Sequence, residues 1–371
     1  MAAAARKPRN LNVASAEPLE TSADVPGERF VEDLAREFER AAAASRPCEL
    51  TLEVGDVGVE LRFADATLAR LVERAMGHLR SVSGRSALRI DFFAGGTLPE
   101  SPWPFEAPRA KGEIGPDAPA ARFRACLQPE LPALHCYDRS ARRGWVWYRD
   151  PERLPSWEHP HLPLRILHFA LADFGWFTVH GAVVERDGGG ILMPGRSGAG
   201  KTTTALAALA GGYGFLGDDH VLVRTALEPE AAALFATARL TPESERLLAP
   251  LGLRAPVAAP ATPPSDKSLF YVGDFPGARL ARRARLEAIA LPRRAPVDRA
   301  PERASPAEAL RDLAPSTILF LPHTGAIGTF ERLAGLVRSV PAYRVPLGPE
   351  LSEVGGCLDR LRELARADGR R

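Results

Sequence analysis

Apolar residues Phe30, Val31, Leu34 and Phe38 recur through residues 28–46 at three- and four-residue spacing, which predicts an amphipathic helix. The stretch CELTLEVGDVGVELRFA then alternates apolar and polar positions on both sides of Gly-Asp-Val-Gly and predicts a hairpin. Helical spacing returns at Leu68, Leu71, Val72, Met76 and Leu79, with Asp65 placed to cap the first turn. ALRIDFF, RFRACLQ, ALHCYDR and GWVWYRD read as short strands, and the proline-rich stretch 98–119 as a loop. Residues 28–150 are therefore expected to form a small N-terminal α+β module with no catalytic constellation of its own. Trp145, Trp147 and Tyr148 fit a half-buried strand better than a ligand platform.

The pattern changes near residue 161. LPLRILHFALADFG predicts a strongly apolar helix, and FTVHGAVVERDGGGILMPG predicts two strands around a glycine-rich turn. Strands are expected at ALFATARLT, SLFYV, RLEAIALP and AYRVPL, and helices near 326–339 and from about 349. Ser305 and Glu308 have the spacing of a capping box, and Leu351, Val354, Leu358, Leu361 and Leu364 mark the buried face of the last helix. Residues 161–371 are thus expected to be an α/β domain behind the module. No internal repeat is visible. Residues 1–27 offer almost nothing to bury and are expected to form a disordered tail.

Composition narrows the function classes. Charged residues make up 25% of the chain, yet the net charge is only +2, so no strong field favours nucleic acid or an anionic membrane. No apolar run is long enough to span a bilayer, and the N-terminus lacks the apolar core of a secretory signal. Cys48, Cys126, Cys136 and Cys357 lie far apart without a CxxC, which argues against a zinc ribbon or disulfide framework and suits a reducing, cytoplasmic setting. His159 and His161, among prolines at the junction, lack partners at metal-ligand spacing and are expected to be ordinary loop histidines.

The chemistry concentrates in ILMPGRSGAGKTTTALAALAGGYGFLGDDHVLV, residues 191–223. Gly195, Arg196, Ser197, Gly198, Ala199, Gly200, Lys201 and Thr202 fit GxxxxGK(S/T), and Thr203 follows. An apolar strand precedes this run and a helix follows it. Glycines let successive N–H groups turn toward phosphates, and the helix aims its positive end at them. Lys201 has the reach to lie between the β- and γ-phosphates, and the Thr202 hydroxyl suits a Mg²⁺ position. Asp218 and Asp219 follow at the end of the next short strand. Adjacent carboxylates can divide the work of phosphoryl transfer, one deprotonating a hydroxyl and one holding Mg²⁺.

The strand before the loop is read as the second arm of an antiparallel hairpin, with His180 and Gly181 in the first arm. HGAVVE, the glycine-rich turn, ILMPGRSGAGKTTTALAAL and FLGDDHVLV together resemble the catalytic domain of HPr kinase/phosphorylase and, more closely, the wider group of HPr-kinase-related serine kinases. The likeness is good over 176–226 and looser to the C-terminus. It implies a phosphoenolpyruvate-carboxykinase-like P-loop fold, ATP and Mg²⁺ as cofactors, phosphates and metal on Lys201 and Thr202, Asp218 as base, Asp219 as metal contact, and His180 beside the site. It also suggests a homo-oligomer. The further glycine motif of the HPr enzymes is not found in 227–300, and the front third does not match their regulatory domain, so the hydroxyl-bearing acceptor stays open among protein, peptide and small molecule. A nucleotide-dependent ATPase, or a nucleotide-sensing regulatory module, is the alternative. Lys267 could reach phosphate across the site or simply be solvated. The arginines of 279–294 could serve an acidic substrate or form a solvated face.

Overall fold

The computed structural model describes residues 25–82, 86–96, 98, 113–114, 121–128, 130–196, 198–225, 228–294, 300–320, 326–348 and 350–368. The segment 1–24, Ser197 and most of the proline-rich stretch lie outside the described residues. The architecture is mixed α/β.

Helix α1 (Val25–Ala43) buries Phe30, Leu34 and Phe38 on one stripe. Strands β1 (Cys48–Val54) and β2 (Val57–Phe63) form the expected hairpin, and Asp65 caps α2 (Ala66–Met76) by accepting from the Leu68 N–H at 2.9 Å. Strand β3 (Leu88–Ala94) follows. Strand β4 (Glu113–Ile114) falls inside the stretch read as loop and pairs with β5 (Phe123–Gln128). Strands β6 (Ala133–Asp138) and β7 (Arg143–Tyr148) complete a seven-stranded sheet ordered β1-β2-β3-β7-β6-β5-β4. The expectation of a half-buried β7 fails: Trp145, Trp147 and Tyr148 are at most 2% exposed. That strand lies inside the sheet, with α1 packed on the tryptophan face and α2 and the following helix on the Tyr148 face.

Helix α3 (Leu164–Leu171) leads into a second, nine-stranded sheet. The first arm of the expected hairpin is split at His180 into β8 (Phe177–Val179) and β9 (Gly181–Arg186). β9 pairs antiparallel with β10 (Gly189–Pro194) across a two-residue turn in which Asp187 and Gly188 both take positive φ, the mirror-image turn that suits strand twist. After α4 (Lys201–Ala210) come β11 (Gly214–Gly217), β12 (Val221–Arg224), β13 (Glu230–Ala232), β14 (Thr237–Leu240), α5 (Pro242–Leu248), β15 (Ser268–Tyr271) and the long β16 (Arg283–Arg294). β17 (Glu302–Ala304), α6 (Pro306–Phe320), α7 (Ala326–Ser339), β18 (Ala342–Leu347) and α8 (Val354–Asp368) close the chain. The sheet path is β11-β9-β10-β16-β13-β12-β8, with β18 on β16 and β17 on β18. His180 is therefore where the chain leaves the last strand of the path and re-enters near its opposite edge.

Both faces of this sheet are apolar. Ala182, Val184, Ile191 and Met193 pack under α4 and α8, while Val183 and Leu192 join a cluster that runs from Leu50 and Phe63 of the N-terminal module to Leu313 and Val340. The capping box at α6 is only half formed: Ser305 accepts from the Glu308 N–H, but the Glu308 carboxylate is taken by Arg344. On α8, Leu364 is 39% exposed, and Cys357 and Ala365 fill the face instead. The described arginines of 279–294 lie on an exposed face laced with ion pairs. Arg279, Arg283, Arg285 and Arg293 are ion-paired to Glu185, Glu230, Glu287 and Asp312.

The module packs against α3 and the junction, where Tyr137 donates to Asp173 and Tyr148 to Glu158, and it meets the later strands at two further places. Its β1–β2 turn meets Trp176, whose indole N–H donates to Asp56 at 2.8 Å, and Arg224 holds the other Asp56 oxygen. At the second place α2 meets the β14–β15 ribbon. The Ala236 N–H donates to the Ala75 carbonyl, Arg74 pairs with Asp274 at 2.7 Å, and its guanidinium lies over the Tyr271 ring.

Candidate functional site

Where β10 ends the chain turns sharply through the glycines. Gly195, Gly198 and Gly200 have φ of 144°, 83° and 84°, a region in which a side chain is strained. A Cβ on Gly195 would also stand 3.0 Å from the Ala199 Cβ, so the loop closes on itself only with glycine there. Gly198, Ala199 and Gly200 are exposed, and α4 starts directly behind them with its unsatisfied N–H groups facing the loop. Lys201 is 5% exposed and folds back, its ammonium donating to the Gly195 carbonyl at 2.7 Å and the Arg196 carbonyl at 3.2 Å. Burial lowers its pKa, the two aspartates oppose this, and the charge of Lys267 adds to it. The Arg196 side chain is exposed, and the Thr203 hydroxyl is engaged with Ser244 of α5 at 3.3 Å.

Strand β11 delivers the aspartate pair to this loop. The Thr202 hydroxyl donates to Asp218 Oδ2 at 2.6 Å, while Asp218 Oδ1 is buried with no hydrogen-bond partner. Burial and the neighbouring Asp219 charge push the Asp218 pKa up to about 6, against the pull of the Thr202 hydroxyl and Lys201. Asp219 has a φ of 60°, and the His220 N–H closes a 2.7 Å bond over it to the Asp218 carbonyl. This is the strained, positive-φ form of γ-turn, tolerated here because the Asp219 carbonyl also accepts from the Gly181 N–H. The turn sends the two adjacent carboxylates in different directions.

Asp219 meets a different environment. Arg239 from β14 places Nε and Nη2 each 3.2 Å from Asp219 Oδ2, and His180 Nε2 stands 3.6 Å from Oδ1, an ion-pair distance and longer than a hydrogen bond. Burial works to raise this pKa, but His180 and the Arg239 guanidinium overcome it and hold the carboxyl well below the usual range. The two aspartates therefore differ in basicity although they are neighbours in sequence. The His180 backbone N–H is fixed by the Thr317 hydroxyl of α6 at 3.1 Å.

Behind Asp219 lies a row of imidazoles. His220 packs edge-on against His161 at 4.8 Å and His180 at 5.7 Å, and His161 packs against Phe235 at 5.3 Å. His161, expected to be a loop histidine, is buried because α3 draws the junction turn into the core. Burial holds the His161 pKa down to about 3 and that of His220 well below its ordinary value, so both are neutral in the folded protein. In the unfolded chain each binds a proton near pH 6.5. The stability they contribute is complete above that pH and is lost as pH falls toward 3, by about 2 kcal/mol per histidine between pH 7 and pH 5. His161→Phe is accordingly expected to flatten the loss of stability between those two pH values by about that amount in denaturant titrations. An unchanged pH slope would contradict the buried, neutral state.

Lys201, Thr202, Asp218, Asp219 and His180 thus converge, while Thr203 and the Arg196 side chain turn elsewhere. Sequence reasoning missed Arg239, His161 and His220. Only His220, directly after the aspartates, gave a local signal. Among the described residues no group of three or more His, Cys, Asp or Glu side chains could hold a metal by itself. The orphaned Asp218 oxygen beside the Thr202 hydroxyl fits an ion such as Mg²⁺ that brings phosphate and water oxygens with it. No helix among the described residues is long and apolar enough to cross a membrane.

No family model matches the chain, and no curated protein does. Among solved structures it is similar to the Hpr(Ser) kinase/phosphatase from Coxiella burnetii, at 12% identity over 52% of this chain and 96% of that one, with a TM-score of 0.29. An overlay that loose carries no argument, and the reading of the site rests on its own geometry.

Proposed function

We propose that the chain is an ATP- and Mg²⁺-dependent kinase on a phosphoenolpyruvate-carboxykinase-like P-loop fold, which transfers the γ-phosphoryl group to a Ser/Thr-type hydroxyl of a protein, peptide or small molecule. The observation that carries this reading is the Thr202–Asp218 pair. A buried carboxylate with a pKa near 6 and one unpartnered oxygen stands beside a glycine loop shaped for phosphate. A general base works best when its pKa is close to the working pH, and Asp218 meets that condition. Asp219, kept ionised by Arg239 and His180, stays a fixed charge, so the hydroxyl proton has one destination. Lys201 has donors to move from the loop carbonyls to phosphate oxygens. In this assignment Thr202 and Asp219 would hold Mg²⁺, with the orphaned Asp218 oxygen turned to the acceptor hydroxyl, and the ion when bound would neutralise phosphate charge.

The 2.6 Å contact with Thr202 also favours a second assignment, in which Asp218 serves on the metal side. Transfer of label from γ-labelled ATP to a hydroxyl of candidate acceptors, starting with the products of neighbouring genes and with Lys201→Ala as control, tests the activity. Label appearing only as inorganic phosphate would replace the kinase reading with an ATPase. Asp218→Asn retaining transfer but needing far more Mg²⁺ would move the base role to Asp219.

A further inference from the structure

The β14–β15 ribbon is separate from both large sheets. Its register places Arg239 opposite Leu269 and Leu240 opposite Ser268, so the ribbon end that carries Arg239 also carries Lys267, the residue before Ser268. This end borders the glycine loop: Arg239 reaches Asp219, and Thr241 caps α5, whose Ser244 meets Thr203 of α4. Lys267 is half-buried, and its ammonium makes no hydrogen bond or ion pair among the described residues. Its backbone is nevertheless fixed. The Lys267 N–H donates to the Ser265 hydroxyl, the Ser265 N–H to the Thr262 carbonyl, and the Thr262 hydroxyl to Ser156 at the junction.

A half-buried ammonium with no ion pair among the described residues, on the ribbon end that borders the glycine loop and close enough to bear on Lys201, is placed to meet an anion held between the two. Lys201 has loop carbonyls and two carboxylates to offset its charge, whereas the Lys267 ammonium has no ion pair among the described residues. We propose that Lys267 binds the terminal phosphate of a nucleoside triphosphate from the side of the cleft opposite the loop, so that the ribbon distinguishes triphosphate from diphosphate. This rests on the phosphate reading of the loop and extends it to a second wall. The ribbon then has two tasks: Arg239 holds Asp219 in place, and Lys267 senses whether the phosphate to be transferred is present.

The test is calorimetric binding of Mg·ATP and Mg·ADP to the full chain, to Lys267→Met, which keeps the bulk and removes the charge, and to Lys267→Arg. The expected result is ATP binding weakened about tenfold or more in Lys267→Met with ADP binding unchanged, and most of the loss restored in Lys267→Arg. Equal weakening of both nucleotides, or no weakening of either, overturns the proposal. If the native chain binds ATP in a Lys201-dependent way while Lys267→Met is silent, this inference falls and the kinase reading stands. If the native chain binds neither nucleotide, both fall.

Discussion

Asp218→Asn is expected to abolish measurable phosphoryl transfer, by about 10²- to 10⁴-fold, while nucleotide binding persists and the folded state becomes more stable. The two halves of that expectation have one cause. Asp218 is raised to about 6 because its charge is buried beside Asp219. A carboxyl raised on folding favours the native state only while it is protonated; that contribution is lost as pH rises from about 4 through 6. Above pH 6 the ionised side chain is a standing cost on the order of 2–3 kcal/mol. Asparagine removes the charge, keeps an acceptor for Thr202, and removes the base. If the kinase reading holds, kcat/KM of the native chain is expected to climb with pH through about 6 and then level off. Unchanged turnover in the variant would end the assignment of Asp218 as base, and a lowered Tm would contradict the buried-charge account.

The largest stability effect is expected at the β1–β2 turn. Gly55 has a φ of 67°, and a Cβ there would lie 2.6 Å from Trp176 Cε2. That indole cannot easily retreat, because it is fully buried and its N–H is committed to Asp56. Gly55→Ala is therefore expected to cost about 2–4 kcal/mol, the sum of left-handed strain and overpacking. Gly188→Ala is the control. Its φ is 78°, but nothing lies within 4 Å of its Cβ position, so only the backbone penalty of about 1 kcal/mol applies. Denaturant midpoints of the two variants separate the contributions; equal losses would show that the turn does not press on Trp176.

What the sequence made legible was local. The β1–β2 hairpin, the Asp65 cap, the α1 stripe and the strand–loop–helix around Lys201 depend on residues near one another in the chain, where periodicity and turn chemistry suffice. What it hid depends on layers. Trp145 and Trp147 read as half-buried because one strand cannot reveal that α1, more than a hundred residues earlier, covers their face. His161 read as a loop residue because its environment comes from His220 and Phe235, far along the chain. Arg239 drew no attention in a chain rich in arginine; its role beside Asp219 arises only from how β14 docks. The split of the hairpin arm at His180 was also invisible, since FTVHGAVVE reads as one strand although its two halves pair with different strands.

The contact of α2 with the ribbon has a practical consequence. The Ala75 carbonyl and Arg74 supply part of the outer support for the wall that carries Arg239 and Lys267. A fragment cut at the junction would bare Trp176 and leave the ribbon without its clasp. The glycine loop, read alone, would suggest a portable unit that begins near residue 161; both walls of the cleft do lie beyond that cut, but the brace behind one of them lies before it.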